Sequence, residues 1–406
     1  MTCMIRKALC AAALFASVPA AAQPANPAPA SAAKACDAPW FPGMPSPYAS
    51  SEVAGDGRVT FRFCAPNAKA VRVTSGDAGA AIPQSFDPSA PSGLAMTRDA
   101  GGLWSVTTAQ PLAPGSYRYS FLVDGVRTAD PRARDWSQPV LGIEAVVEVP
   151  GAPLEQWQPG IAHGMVTTLN YWSKATNSLR RAHVYTPPGY MAGSGRYPVL
   201  YLVHGAGDSD DSWTSEGRVD RILDNLIAAG KVKPMLVVMP AGHTPDYPGK
   251  DLWRDHSFGE DLTQVLIPLV DGQFRTLAKA DARAMAGLSM GGFLTLNEGL
   301  VRPDTFHWIG VFSMGLGIGM TPEVDTAQLA RYEKDNAAHL AQAASDMHLV
   351  YYAIGREDFI YPHIGPTRDL LERYHIATTY HESDGGHTWD NWRDYLADFA
   401  PRLFRP

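Results

Sequence analysis

Ala282-Arg283-Ala284-Met285-Ala286-Gly287-Leu288-Ser289-Met290-Gly291-Gly292-Phe293-Leu294-Thr295-Leu296-Asn297-Glu298 runs from a short apolar segment, through a G-x-S-x-G pentapeptide, into a segment of helical character. A serine between two such elements sits on a sharp strand-to-helix turn, which exposes its hydroxyl at the end of a sheet. The flanking glycines suit that turn because a Cβ at either place would collide with the tightly packed strand and helix. Ser289 is therefore the candidate nucleophile. A serine hydroxyl is weak at neutral pH, so it needs a base within hydrogen-bond reach and an acid to orient that base.

The surrounding chain supplies both in the order such a turn requires, nucleophile, then acid, then histidine. Continuous apolar runs at Val199-Leu200-Tyr201-Leu202-Val203, Met235 to Met239, Trp308 to Phe312 and Leu349 to Ala353 alternate with amphipathic stretches such as Val219 to Ala229 and Glu260 to Phe274. That alternation predicts an α/β fold, a mostly parallel sheet covered on both faces, over residues 161–406. Ligands of such sheets bind beyond the carboxyl ends of the strands, so each functional residue should follow a strand. Asp358 follows Leu349 to Ala353, with Glu357 as its competitor on the same turn. His387 follows Thr378 to Glu382 and the pair Gly385-Gly386, and is the candidate base.

The tetrahedral intermediate of acyl transfer needs two preorganised N–H donors. The N–H of Met290 is one expected donor, and that of Ala206, in His204-Gly205-Ala206-Gly207-Asp208 after the first apolar run, is the other. Gly207 stays open as an alternative. Asp208, Trp213 and Trp253 are candidate substrate-binding residues lining an aromatic acyl or sugar pocket. His204, His243 and His256 show no cysteine or carboxylate clustering at metal-ligand spacing, so neither metal nor cofactor is expected.

The first 22 residues have the pattern of a secretory signal peptide: Arg6 and Lys7, an apolar run from Ala8 to Val18, then Ala20-Ala21-Ala22. A secreted or periplasmic protein without a membrane anchor is expected. Without Arg6 and Lys7, 32 basic residues face 41 acidic ones, a net charge of about −9, which argues against a nucleic-acid partner. Cys3 and Cys10 lie in the leader. Cys36 and Cys64 remain, and a disulfide between them suits an oxidising compartment.

Residues 23–35 are an Ala/Pro-rich linker. From 36 to 150 the pattern shortens to period two, as in Val59-Thr60-Phe61-Arg62-Phe63 and Ser116-Tyr117-Arg118-Tyr119-Ser120-Phe121, with Asp124-Gly125 closing a hairpin. A smaller all-β sandwich is expected there. Phe61-Arg62-Phe63-Cys64-Ala65-Pro66, Gly115 to Tyr119 and Val123-Asp124-Gly125 resemble the family 48 type of carbohydrate-binding module and related immunoglobulin-like domains. Trp40, Trp104 and Trp136 are its candidates for stacking on sugar rings, although packing in the core or against the second domain is the more ordinary fate of such residues.

With the serine, acid and histidine in place, the segment from His163 to Pro406 resembles carbohydrate esterase family 1 of the α/β-hydrolases. The resemblance is carried by Tyr185-Thr186-Pro187-Pro188-Gly189-Tyr190, Leu202-Val203-His204-Gly205, Ala286 to Gly292, Gly355-Arg356-Glu357-Asp358 and Gly386-His387-Thr388-Trp389. It implies a secreted serine esterase, first of all a feruloyl esterase acting on plant cell-wall xylan. The alternatives are an acetylxylan esterase, a siderophore esterase of the enterochelin type or an acyltransferase, and, in another class, a non-catalytic polysaccharide-binding protein.

Overall fold

In the computed structural model, which describes residues 36, 47–84, 92–140, 142–245, 254–318 and 323–405, the apolar runs form the centre of an eight-stranded sheet. The leader, the linker, Trp40 and Trp253 lie outside the described residues. The strands are β1 (Met165–Ser173), β2 (Ser178–Thr186), β3 (Val199–Val203), β4 (Leu236–Pro240), β5 (Arg283–Leu288), β6 (Trp308–Phe312), β7 (Leu349–Gly355) and β8 (Thr378–Ser383), in the order β1-β2-β4-β3-β5-β6-β7-β8. From β4 to β8 all neighbours are parallel, while β1, β2 and β4 pair antiparallel. The crossing of β3 and β4 puts β3 beside β5, so the loop after β3 faces the turn after β5.

Every residue of β3, β4, β5 and β6 is buried, which is why these strands read as apolar runs, with Arg283 at the start of β5 the one charged residue among them. Alternate side chains feed two cores. Tyr201 and Val203 face one, with Phe258, Met285 and Phe293. Leu200 and Leu202 face the other, with Trp213, Trp389 and Phe399. β1 and β2 have no apolar run to betray them, because β1 is exposed along most of its length and is held by nine in-register pairs with β2. The helix Thr326–Asp346, capped by Asp325 accepting the Gln328 N–H at 2.9 Å, likewise carries no strong apolar stripe.

The N-terminal strands form two antiparallel sheets. One contains Ser51–Val53, Val59–Cys64, Thr97–Arg98 and Leu103–Thr107, and the other is built around Val71–Thr74, Gly115–Val123 and Glu144–Val149. Val59, Phe61 and Phe63 point inward while Thr60, Arg62 and Cys64 alternate with them. Phe61 packs on Tyr119 and Phe63 on Phe121, with ring centroids 4.9 and 4.5 Å apart. Asp124 and Gly125, both at positive φ, close the hairpin between Gly115–Val123 and Val126–Thr128. Cys36 and Cys64 are joined as a disulfide with Cα atoms 5.4 Å apart. Trp104 is a core residue whose indole donates to the Ala65 carbonyl, whereas Trp136 is 39% exposed.

The all-β part is tied to the last helix, Trp389–Phe399. Arg393, 1% exposed, donates to the carbonyls of Ser116 at 3.3 Å and Glu216 at 3.0 Å and pairs with Glu155 at 2.7 Å and with Asp390. Tyr117 donates to Asp390 at 3.3 Å. Among the described residues no helix is long and apolar enough to cross a membrane.

Candidate active site

Ser289 stands between β5 and the helix Met290–Leu294 with φ +50 and ψ −118, a conformation costly for any residue with a side chain. Its N–H donates to the Phe312 carbonyl of β6 at 3.0 Å, and its own carbonyl accepts the Phe293 N–H at 2.9 Å. The strain holds because the turn is packed on all sides: a Cβ on Gly287 would meet the Gly291 backbone at 2.4 Å, and one on Gly292 would meet Met314 at 2.7 Å. The strand ends at Leu288, two residues later than the apolar run Ala282 to Ala286 suggests.

Of the two carboxylates after β7, only Asp358 is buried; Glu357 is exposed. The Asp358 oxygens each lie 3.0 Å from His387 Nδ1, and Oδ1 also accepts the Ile360 N–H at 2.9 Å. An ionised carboxylate only accepts, so Nδ1 carries the proton and Nε2 is the basic nitrogen. The His387 ring is held edge-on to Trp392, with centroids 5.0 Å apart, and 4.5 Å from the exposed ring of Phe359. Ser289 and His387 line one cleft of about 310 Å³, together with Ala206, Thr388, Trp389 and Trp392.

The loop after β3 reaches the same cleft. Buried His204 accepts the Gly242 N–H at Nε2, 2.9 Å away, so its Nδ1–H donates to the Gly205 carbonyl at 2.8 Å. Burial holds its pKa down, which keeps the ring neutral and this bond pattern intact. Because the peptide is trans, fixing the Gly205 carbonyl fixes the Ala206 N–H in the opposite direction. The Ala206 carbonyl is held in turn by His243 Nε2 at 2.9 Å, a ring whose pKa is pushed down to about 4, chiefly by burial. Neither histidine is marked for this role in the sequence, where both stand out only as metal ligands to be excluded. Their contact depends on the β3–β4 crossing, which no local spacing announces. Met290 opens its helix, where the first N–H groups have no acceptor within the helix.

Three expected substrate contacts fare differently. Asp208 does line the cleft, but its Oδ1 is committed to Arg118 of the all-β part at 2.7 Å. Trp213 is 1% exposed and belongs to the core, not to the cleft: the short helix Ser212–Ser215 turns its ring inward, where it donates to the Val203 carbonyl at 3.1 Å and packs edge-on against Trp389. Trp253 lies outside the described residues. The aromatic residues that line the cleft are Trp389 and Trp392, from the helix after His387.

At the opposite end of the sheet, Asp281, His307 and His348 precede β5, β6 and β7 and bring their ligand-type atoms within 4.8 Å of one another. Both imidazoles bond to Asp281 Oδ1, at 2.8 Å from His307 and 3.1 Å from His348, and these bonds hold its carboxyl down at about 2. No local spacing marks this group, since its members are far apart along the chain.

Residues 173–403 match the family model described as "Putative esterase". The chain belongs to this esterase family. It is 36% identical over 282 residues to an endo-1,4-beta-xylanase/feruloyl esterase of Xylanibacter ruminicola, a match covering 68% of this chain and 37% of that protein. The chain thus spans little more than a third of that relative's length. Among solved structures, a CE1 ferulic acid esterase from Anaeromyces mucronatus aligns over 63% of this chain and 96% of its own at 21% identity and a TM-score of 0.52. The enterochelin esterase of Shigella flexneri aligns over 88% of this chain and 95% of its own, at 20% identity and a TM-score of 0.61. These likenesses establish the α/β-hydrolase fold, and the family is one of esterases.

Proposed function

We propose that this esterase releases hydroxycinnamate groups, ferulate first among them, from esters on plant cell-wall xylan through an acyl-enzyme on Ser289. The observation that carries the catalytic half is one cleft lined by Ser289, Ala206 and a His387 bonded to buried Asp358. His387 Nε2 takes the Ser289 proton as Oγ attacks the ester carbonyl, and the N–H groups of Met290 and Ala206 receive the oxyanion. The alcohol leaves with a proton from His387. Water, deprotonated by the same ring, then attacks the acyl group and releases the acid, while Asp358 holds the Nδ1–H tautomer throughout.

The acyl preference draws on two supports, the name of the Xylanibacter ruminicola relative and the exposed faces of the Phe359 ring, 4.5 Å from the ring of His387. Such faces suit a planar phenolic ring. An exported location is part of the proposal and agrees with the leader pattern and the Cys36–Cys64 disulfide. The all-β part is proposed to hold the polysaccharide, with half-exposed Trp136 as its one described tryptophan open to a sugar.

Initial rates on methyl ferulate, acetylated xylan and a catecholate siderophore ester test the reading. Methyl ferulate should give the highest kcat/KM, and Ser289→Ala should lose several orders of magnitude on it. A clear preference for acetylated xylan would replace the acyl group proposed here. Near-full activity in Ser289→Ala would remove the mechanism itself.

A further inference from the structure

Arg118 springs from the Gly115–Val123 strand of the all-β part, yet its guanidinium ends among carboxylates of both parts. Nε and Nη2 each lie 2.8 Å from an oxygen of Asp77, which also accepts the Arg118 N–H at 3.0 Å. Nη1 lies 2.7 Å from Asp208 Oδ1 and 2.8 Å from Glu216 Oε1. The arginine is anchored on its own side by a bidentate fork and extends its remaining nitrogen to the esterase part. All four side chains are nearly excluded from water, at 12% for Arg118 and no more than 7% for the three acids.

What this nitrogen holds is the loop beside the nucleophile. A Cβ built on Gly205 would lie 3.0 Å from Asp208 Oδ2 and 3.6 Å from Ser289 Cβ, so the Asp208 carboxylate and the serine side chain both border the narrow space beside the Gly205 backbone. The Asp208 N–H donates back to the Gly205 carbonyl at 3.1 Å, the same oxygen that His204 holds. Asp208 is thus the outer anchor of the peptide whose N–H is aimed by that carbonyl, and Asp208 is itself anchored by Arg118.

We propose that Arg118 is a positioning residue of the ester-hydrolysis site, holding the 204–208 loop through Asp208 so that the Ala206 N–H keeps its aim on the oxyanion. This rests on the assignment of Ser289 and Ala206 above. Arg118 transfers no proton and need not touch the reacting atoms. Its fork cannot be replaced by lysine, because an ammonium reaching Asp208 cannot also span both oxygens of Asp77. Without the guanidinium, three buried carboxylates face one another, and Asp208, which lines the cleft as Asp77 does, is drawn toward water with the loop behind it.

The test uses the full chain, with Arg118→Lys and the nearly isosteric Asp208→Asn, and Ser289→Ala alongside. Each is assayed well below its own melting temperature on 4-nitrophenyl acetate, which demands little acyl recognition. Arg118→Lys and Asp208→Asn should lower kcat about 10- to 100-fold with KM within threefold, the range set by misplacing or losing one oxyanion donor. Inhibition by an arylboronic acid, which places a tetrahedral oxyanion on the serine, should weaken by the same factor. The double variant should be no worse than the poorer single one, since both act on one link. Folded variants with kcat within twofold of wild type, or losses that multiply in the double variant, would overturn the proposal while leaving Ser289 in place. Full activity in Ser289→Ala would overturn the site assignment, and this proposal with it.

Discussion

Gly291, on the helix after Ser289, lies so close to Val203 on β3 that a Cβ on it would stand 2.3 Å from the Val203 carbonyl oxygen. Backbone cannot yield as a flexible side chain would. Gly291→Ala should therefore push the elbow off β3, destabilise the protein by about 1–3 kcal/mol or more, and lower kcat on any ester. Gly272, exposed in the helix Ile267–Gln273, has no neighbour beyond its own turn within 4 Å of a Cβ. Gly272→Ala should raise stability by about 0.5–1 kcal/mol with activity unchanged. Urea unfolding and a rate assay on both variants check the pair.

Burial distinguishes the neighbouring acids after β7. Asp358→Asn keeps the shape but favours the wrong His387 tautomer, so kcat should fall about a thousand- to ten-thousand-fold. Glu357→Gln changes an exposed side chain and should stay within a few-fold of wild type. Steady-state kinetics on methyl ferulate would reverse the assignment if the two effects were exchanged.

Glu216 has its pKa pushed up to about 7, first by burial and then by Asp208 and Asp77, against the pull of Arg118. A carboxyl raised above its unfolded value keeps its proton in the folded state and loses it in the unfolded one. It therefore favours folding most below about pH 4.5, and that advantage fades as pH rises to about 7. Glu216→Gln should remove this slope and leave the variant more stable than wild type at pH 8, by up to about 3 kcal/mol, with the difference shrinking toward pH 5. Thermal melts at four pH values measure it. A wild-type advantage that grows with pH would contradict the sign.

The Cys36–Cys64 bridge spans 28 residues and ties the start of the all-β part to the strand Val59–Cys64. By the chain-entropy argument its loss costs about 3–4 kcal/mol. Cys36→Ser with Cys64→Ser should lower the urea midpoint accordingly. An unchanged midpoint would mean that the bridge adds nothing to stability.

The central strands were legible because burial on both faces leaves almost no polar residue in them, Arg283 at the start of β5 excepted, and the Ser289 elbow because its glycines answer a local crowding. Period two revealed the strand around Phe61 for the complementary reason, one face buried and the other partly open, and the strand around Tyr119 because its aromatic side chains alternate although both faces are largely covered. β1 escaped because it lies exposed at the sheet edge and owes its place to pairing with β2. Trp213 misled because position along the chain put it beside the cleft, while a single helical turn put its ring in the core. The contacts of Arg118 with Asp208 and Glu216 join residues about a hundred positions apart, and neither end carries any mark of the other.

Arg393 gives the chain a schedule. Its contact with Ser116 spans 277 residues and joins the first-made part of the described protein to the last helix. On the ribosome, the all-β part can collapse long before its partner surface exists. The arginine that locks it to the esterase part, and the histidine just before that helix, emerge some 270 residues after Ser116. Such distant closure is slow. Nascent chains should therefore acquire the all-β core early and hydrolytic activity only once the helix Trp389–Phe399 has emerged, so that a chain stalled before residue 389 would be folded in its first part and silent as a catalyst.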